Sequence, residues 1–392
     1  MTPKPLYICS RPFKWFEIAP DGRVFLCCPT WLNKPVGNIL FQSAEEIWNG
    51  KAAREIRKTM LDGSFRYCNN LLCPNLQNKS NSVFLQSEVT DSDLKHAMRC
   101  RTTIVKHGPR TINCSFDRSC NLSCPSCREH TIITMGKDKS LVLKIIDAIQ
   151  KDLAKDIHEL YVTGSGDPFG SPSFFQWLQH MKTSDYPKLK NVHLHTNGQL
   201  FTPKTWGMIS GINNKIKTVE ISIDAASPET YGINRRGGSF PRLLENLAFI
   251  GSLRKANKLR FVTISFVVQE NNFREMPDFV RLRDRFGFDH AYFSQLVNWG
   301  TFTPQEYLKR AVHLPGHPKH QEFLSIIKKI AFSVDTLPTN TTNIPFSKEK
   351  YNGIFVNYVS KAEVPEKSSF VFIKKFEILS HYLYNLRNES NS

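Results

Sequence analysis

The sequence predicts an α/β fold: a partial parallel barrel of six strand and helix units over residues 108–300, preceded by a small cysteine-rich module at residues 1–80. Three observations predict it. From residue 108 short apolar segments alternate with longer amphipathic ones, the order that builds βαβ units and a parallel sheet. Cys9, Cys27, Cys28, Cys68 and Cys73 crowd an N-terminal stretch of otherwise ordinary composition. Cys120, Cys124 and Cys127, spaced C-x3-C-x2-C, follow the first apolar segment of the barrel, and loops after barrel strands are where such folds build their sites.

Each element has a local cause. Residues 17–28 read as two strands joined at Asp21 and Gly22, since Asp-Gly between apolar runs marks a hairpin, and the second strand delivers Cys27 and Cys28 at its end. Ser43 and Glu46 form a capping-box start to a helix striped by Ile47, Trp48, Ile56 and Met60, after which Cys68 and Cys73 follow in a loop. Residues 81–107 are polar and read as a connector with one short helix. The barrel strands are expected at 111–116, 159–163, 192–196, 218–224, 261–269 and 291–296. Val142, Ile145, Ile146, Ile149 and Leu153 fall at helical spacing between the first two, and Leu243, Leu244, Leu247 and Ile250 between the fourth and fifth. Residues 305–330 read as helical with a loop at 314–318, residues 336–350 are rich in Thr, Asn and Pro, and no role is assigned to the extension 301–392.

Composition narrows the classes. A chain of 392 residues with a 40% hydrophobic fraction can bury a sizeable core, and its longest apolar runs fall far short of the roughly 20 residues of a membrane helix. With no secretory leader at the N-terminus, the ten cysteines read as reduced ligands in a cytoplasmic protein. A net charge of +17 favours anionic partners, or else a solvated cationic surface.

Three thiolates are a telling number. A cubane iron-sulfur cluster wants four, so a loop supplying three leaves one iron open to a ligand, whereas a structural zinc site closes its fourth position. Parity adds a polar wall: Glu220, Ser222 and Asp224 share one face of their strand, with Asn113 and Ser115, Tyr161 and Thr163, His193 and His195, and Thr263 and Ser265 placed likewise. If those faces converge, the barrel encloses a wet cavity.

The cysteine loop resembles that of the radical S-adenosylmethionine (SAM) enzymes, whose core is a partial, TIM-like (β/α)6 barrel. The stretch 163–168, with Gly164, Ser165, Gly166 and Asp167, resembles the family's Gly-Gly-Glu-Pro motif, with Ser165 and Asp167 as departures. Residues 195–198 resemble its Thr-Asn-Gly turn, and residues 222–224 its Ser-Ile-Asp string. The segment 231–240, with Arg235 and Arg236, resembles the family's segment after the fourth strand, which places an arginine near an anionic ligand. The N-terminal cysteines, with the hairpin and the residues around Gly37 and Trp48, resemble the SPASM domain, which carries an auxiliary 4Fe-4S cluster but usually follows the core.

By that resemblance Cys120, Cys124 and Cys127 hold a 4Fe-4S cluster that binds SAM. Cys9, Cys27, Cys68 and Cys73 hold the second cluster, with Cys28 the alternative to Cys27. Gly164, Ser165, Gly166, Asp167, Ser222 and Asp224 contact SAM, and an electron donor such as flavodoxin or ferredoxin reduces the site. Glu220, His195 and Cys114 are candidates for catalysis. The reaction implied is hydrogen abstraction by a 5′-deoxyadenosyl radical, dehydrogenating or epimerising a sugar, a nucleotide-linked sugar or another small metabolite, an anionic one among the options. A peptide-modifying maturase is the alternative, set second because no leader-binding segment is legible at the N-terminus. RNA modification is supported only by charge. A non-catalytic zinc or iron-sulfur protein is the reading from another class.

Overall fold

Six parallel strands form the core of the computed structural model, which describes residues 6–70, 73, 75–76, 82–162, 165–334 and 354–357. In chain order the strands are β1 (Tyr7–Cys9), β2 (Trp15–Ile18), β3 (Arg23–Phe25), β4 (Gly37–Asn38), β5 (Val83–Leu85), β6 (Thr111–Cys114), β7 (Glu159–Val162), β8 (Asn191–Thr196), β9 (Ile216–Ser222), β10 (Phe261–Val268), β11 (His290–Gln295) and β12 (Ile354–Asn357). The main sheet runs β12-β11-β10-β9-β8-β7-β6-β2-β3-β4, and β6 to β11 are the barrel strands expected from the sequence. Each repeats the same physics: one parity is apolar and fully buried, as in Ile112, Leu160, Leu194, Ile221, Ile264 and Phe293, and packs against the flanking helices.

The other parity lines the lumen and is polar. Neighbouring strands place Asn113 beside Tyr161, Tyr161 beside His193, His193 beside Thr218, His195 beside Glu220, Glu220 beside Thr263, and Ser222 beside Ser265. A register shift at Val192 and His193 skips Lys217, which brings Thr218, Glu220 and Ser222 into line with the histidines. The polar parity expected from the sequence therefore continues from strand to strand across one face of the sheet.

Four features differ from the sequence expectation. The hairpin β2–β3 forms as expected, with Gly22 at a φ of +80° in its turn, but β2 also pairs in parallel with β6, Trp15 to Thr111 and Ile18 to Cys114. The cysteine module thus supplies a strand to the barrel wall. Part of the expected connector belongs to that module, because β5 pairs antiparallel with β1 and sets Val83 opposite Cys9. The helix expected from Ser43 is two, Ala44–Trp48 and Lys51–Leu61, broken where Gly50 caps the second; a Cβ on Gly50 would stand 2.6 Å from the Glu46 carbonyl oxygen. Asp224 leaves the face it shares in sequence with Glu220 and Ser222, because its backbone turns left-handed at a φ of +58° just past β9.

Among the described residues the connector holds the 3-10 turn Gln86–Glu88 and one α-helix, Ser92–Cys100, and the C-terminal extension carries helices Pro304–Arg310 and His320–Val334. The expectation for residues 336–350 lies outside the described residues. No helix among the described residues is long and apolar enough to cross a membrane.

Candidate metal and cofactor centre

The loop after β6 carries the three thiols, and a buried carboxylate shapes it. Asp117 Oδ1 accepts from the Ser119 amide at 2.8 Å, the Ser119 hydroxyl at 2.7 Å and the Thr134 hydroxyl at 2.7 Å, while Oδ2 accepts from Ser171 Oγ at 2.5 Å. Arg128 straps this loop to the next, donating 2.6 Å bonds to the carbonyls of Arg118 and Ser165. Gly166 makes the fit possible: a Cβ there would stand 2.4 Å from the Ser119 carbonyl oxygen and 2.6 Å from that of Asp117.

Each thiol of the loop receives an N–H. Asn197 Nδ2 approaches Cys120 Sγ at 3.7 Å, Arg235 Nη1 approaches Cys124 Sγ at 3.7 Å, and Arg128 Nη2 donates to Cys127 Sγ at 3.4 Å. Cys120 and Cys124 are buried and Cys127 is exposed. Burial, with Asp167 next, pushes the Cys120 thiol up to about 11, so donors and a metal are what would hold it as thiolate. Three sulfurs on one loop, each facing an N–H donor and two facing guanidinium groups, fit a thiolate-ligated cluster.

Gly164 and Thr163 lie outside the described residues. Ser165 and Asp167 turn inward to hold loops: Ser165 Oγ donates to the Ser115 carbonyl at 2.6 Å, and the Asp167 carboxylate accepts from the amides of Phe169, Gly170 and Asn197 and from the Thr196 hydroxyl. Asp167 therefore ties the loop after β7 to the loop after β8. Ser222 Oγ is 2.7 Å from His195 Nε2 and 3.2 Å from Ser265 Oγ, on the lumen side.

Asp224 is ion-paired with Arg235 at 2.7 Å and accepts from the Val267 amide at 2.7 Å. Burial pushes its carboxyl upward and Arg235 pulls it back. Arg235 is the pivot of the region, with a second nitrogen at Cys124 and a buried Nε that has no partner among the described residues. A guanidinium N–H left over beside the cysteine loop fits the carboxylate of a bound amino acid group. Sequence reasoning missed Asp117, Arg128 and Asn197. Asp117 and Arg128 were marked only by flanking the cysteines, and Asn197 only by the Thr-Asn-Gly turn, neither of which reveals contact.

The lumen carries the candidate acid-base groups. His195 Nε2 is 3.6 Å from Glu220 Oε1. Two residues earlier on β8, His193 bonds Glu159 Oε2 of β7 at 2.6 Å through Nε2 and the Thr218 hydroxyl of β9 through Nδ1, and it stacks on Tyr161 with ring centroids 4.1 Å apart. Trp15 from β2 extends the wall to Tyr161 at 5.3 Å. Cys114 is a correction: it has the apolar parity of β6, is fully buried and is pushed above the ordinary thiol range by burial alone, so it faces the helices and not the lumen.

The N-terminal thiols come from three places, β1, the end of β3 and the loop after Lys51–Leu61. Cys9, Cys27, Cys68 and Cys73 feel one another's charge. Burial pushes Cys9 up to about 12, and Trp31 Nε1 donates to Cys27 Sγ at 3.3 Å. Cys28 turns away, with its Sγ 3.5 Å from Thr30 Oγ1 and Glu17 as its main charged neighbour. The set fits a cluster ligated by thiolates. Among the described residues no three His, Cys, Asp or Glu converge on a single-ion site.

Comparison with known proteins finds two families in the chain. Residues 9–74 match the SPASM family, an iron-sulfur cluster-binding domain, and residues 115–282 match the radical SAM superfamily. The chain is similar to mycofactocin maturase MftC of Mycobacterium ulcerans (strain Agy99), 28% identical over 195 residues that cover 46% of this chain and 47% of that protein. It is also similar to GTP 3',8-cyclase of Alkaliphilus oremlandii (strain OhILAs), 27% identical over 130 residues that cover 33% of this chain and 39% of that one. The matches thus span less than half the length of either curated relative. Among solved structures, Streptococcus suis SuiB bound to precursor peptide SuiA superposes with a TM-score of 0.41 at 13% identity, covering 84% of this chain and 71% of that one. Native anSMEcpe with bound AdoMet superposes with a TM-score of 0.36 at 19% identity, covering 59% of this chain and 67% of that one.

Proposed function

The chain belongs to the radical SAM superfamily, with an iron-sulfur SPASM module ahead of its barrel, and from that premise we propose that it is an enzyme that modifies a peptide by radical chemistry. The observation that carries the reading is one polar lumen flanked by two thiol sets, one on the loop after β6 and one on the module that lends β2 to the same wall. When bound, the clusters and SAM supply a 5′-deoxyadenosyl radical that removes a substrate hydrogen atom and a second centre that takes an electron from what remains.

The protein's residues do the rest. Cys120, Cys124 and Cys127 hold the first cluster while Asn197, Arg235 and Arg128 supply N–H groups to their sulfurs. We assign the SAM carboxylate to the orphaned Nε of Arg235 and to Ser222, and the SAM amino group to backbone carbonyls of the loop that Asp167 pins. His195, set between Ser222 and Glu220, takes up the proton released as the product forms. A reducing cytoplasm with flavodoxin or ferredoxin as electron donor suits such a site.

Peptide is favoured over an anionic metabolite by the mixed charge of the lumen, where the carboxylates of Glu159 and Glu220 stand beside His193 and His195. The longer of the two curated matches is to a maturase. A nucleotide substrate is the second reading, favoured by the likeness to a GTP cyclase.

Anaerobically reconstituted protein incubated with SAM and dithionite should form 5′-deoxyadenosine. Candidate precursor peptides encoded beside its gene should then lose two hydrogens by mass spectrometry while GTP is returned unchanged. Turnover of GTP with every peptide inert would sink the peptide reading, and failure to form 5′-deoxyadenosine from fully loaded protein would sink the enzyme.

A further inference from the structure

Arg11 occupies a place that the activity described above does not use. It opens the short 3-10 turn Arg11–Phe13 two residues after Cys9. The guanidinium stacks 4.3 Å above the Trp15 ring, and its Nε reaches Ser82 Oγ at 3.3 Å. Ser82 is itself fixed: it is buried, its carbonyl accepts from the Ser10 amide at 2.8 Å, and it precedes Val83, which pairs opposite Cys9. The cation is thus clamped between the N-terminal thiols and the aromatic wall formed by Trp15, Tyr161 and His193.

An arginine cannot shed its charge, and in a half-buried site its field is only partly screened. Negative charge on Cys27, Cys9, Cys28 or Tyr161 is what it favours, and Lys14 is a like charge nearby. Glu17 is the carboxylate that opposes it, and that carboxylate is engaged by Trp15 Nε1 at 3.0 Å and raised by its own burial, which weakens the opposition. A fixed positive charge beside a cluster stabilises the form with one more electron, and cluster potentials respond to local charge and hydrogen bonding.

We propose that Arg11 sets the reduction potential of the iron-sulfur cluster held by Cys9, Cys27, Cys68 and Cys73, raising it so that the cluster accepts an electron from a substrate radical in the lumen. The proposal rests on the reading of those four thiols as cluster ligands. The step balances: after its hydrogen atom has gone to the deoxyadenosyl radical, the substrate radical gives one electron to the oxidised cluster and one proton to His195, and a closed-shell product with one new bond remains. Arg11 is a positioning residue in this scheme, acting through the cluster and touching neither proton nor substrate.

The test is an EPR-monitored redox titration of full-length protein carrying Cys120→Ala, Cys124→Ala and Cys127→Ala, so that only the N-terminal cluster reports. Iron content, about four per chain, checks the ligand reading first; its absence in that parent would refute the cluster and the proposal with it, whereas a loaded parent leaves only the role of Arg11 at stake. With the cluster present, Arg11→Gln should lower the midpoint potential and Arg11→Lys should leave it near that of the parent. Ser82→Asp, which neutralises the guanidinium while leaving it in place, should also lower it and decides the matter if Arg11→Gln fails to assemble. A fully loaded Arg11→Gln or Ser82→Asp protein with the parent's potential overturns the proposal.

Discussion

Replacing Asp224 by asparagine removes one charge from a buried pair and little else. The Asp224 and Arg235 side chains are 2% and 12% exposed, and their 2.7 Å contact is the guanidinium's ion pair. Asparagine keeps an acceptor for the Val267 amide and tolerates the left-handed backbone, so the change isolates the charge. Removing one member of a buried pair costs about 3–5 kcal/mol, because the other charge stays buried and uncompensated. Partial access at Arg235 argues for the lower figure, about 3 kcal/mol, or roughly 6–12 °C in Tm at about 2–4 °C per kcal/mol for a domain of this size. Asp224→Ala should lose about 1 kcal/mol more through strain at positive φ. Asp224→Asn combined with Arg235→Met should recover much of the loss. The assay is urea denaturation at neutral pH with a matched thermal scan. Asp224→Asn within about 0.5 kcal/mol of wild type would refute the reasoning, since a substitution so mild is expected only at a surface site.

Iron analysis after anaerobic reconstitution should give about eight irons, falling to about four when Cys120, Cys124 and Cys127 become alanine; Cys27→Ala should lose the other cluster while Cys28→Ala keeps it. Gly166→Ala should force the loops at 117–119 and 165–167 apart at a cost of about 1–3 kcal/mol. It should read as SAM binding about tenfold or more weaker by calorimetry, with the circular dichroism unchanged. Burial lowers His290 and His313 from 6.5 to about 4, so both take up a proton on unfolding between those values. Stability should therefore be full above pH 6.5 and fall on acidification toward pH 4, by up to about 2.7 kcal/mol per pH unit for two protons; His313→Gln should halve that slope in urea titrations. A chain beginning at residue 101 exposes β6 as an open edge, and light scattering should find it aggregated where the full chain is monodisperse.

Much of this protein was legible in the sequence for a local reason. A strand's side chains alternate by geometry alone, so the polar parity of Asn113, Tyr161, His193 and Glu220 announced a wet lumen without knowledge of which strands meet. The same parity put Cys114 on the apolar face, against its candidacy. Thiol spacing in the loop after β6 is likewise a property of eight consecutive residues.

What required the tertiary structure are meetings between distant residues. Trp15 pairs beside Thr111 because the hairpin's second hydrogen-bonding edge is free, and no local pattern says which edge strand will fill it. Asn197 and Arg235 reach Cys120 and Cys124 across 77 and 111 residues. The lining of the lumen also escaped the net charge, since +17 sums over the whole surface while Glu159 and Glu220 stand on the inner wall beside two histidines. Side-chain direction is set by neighbours along the chain and is readable from the sequence. Which side chains then face one another is set by closure of the sheet, and that is decided only when the whole chain packs.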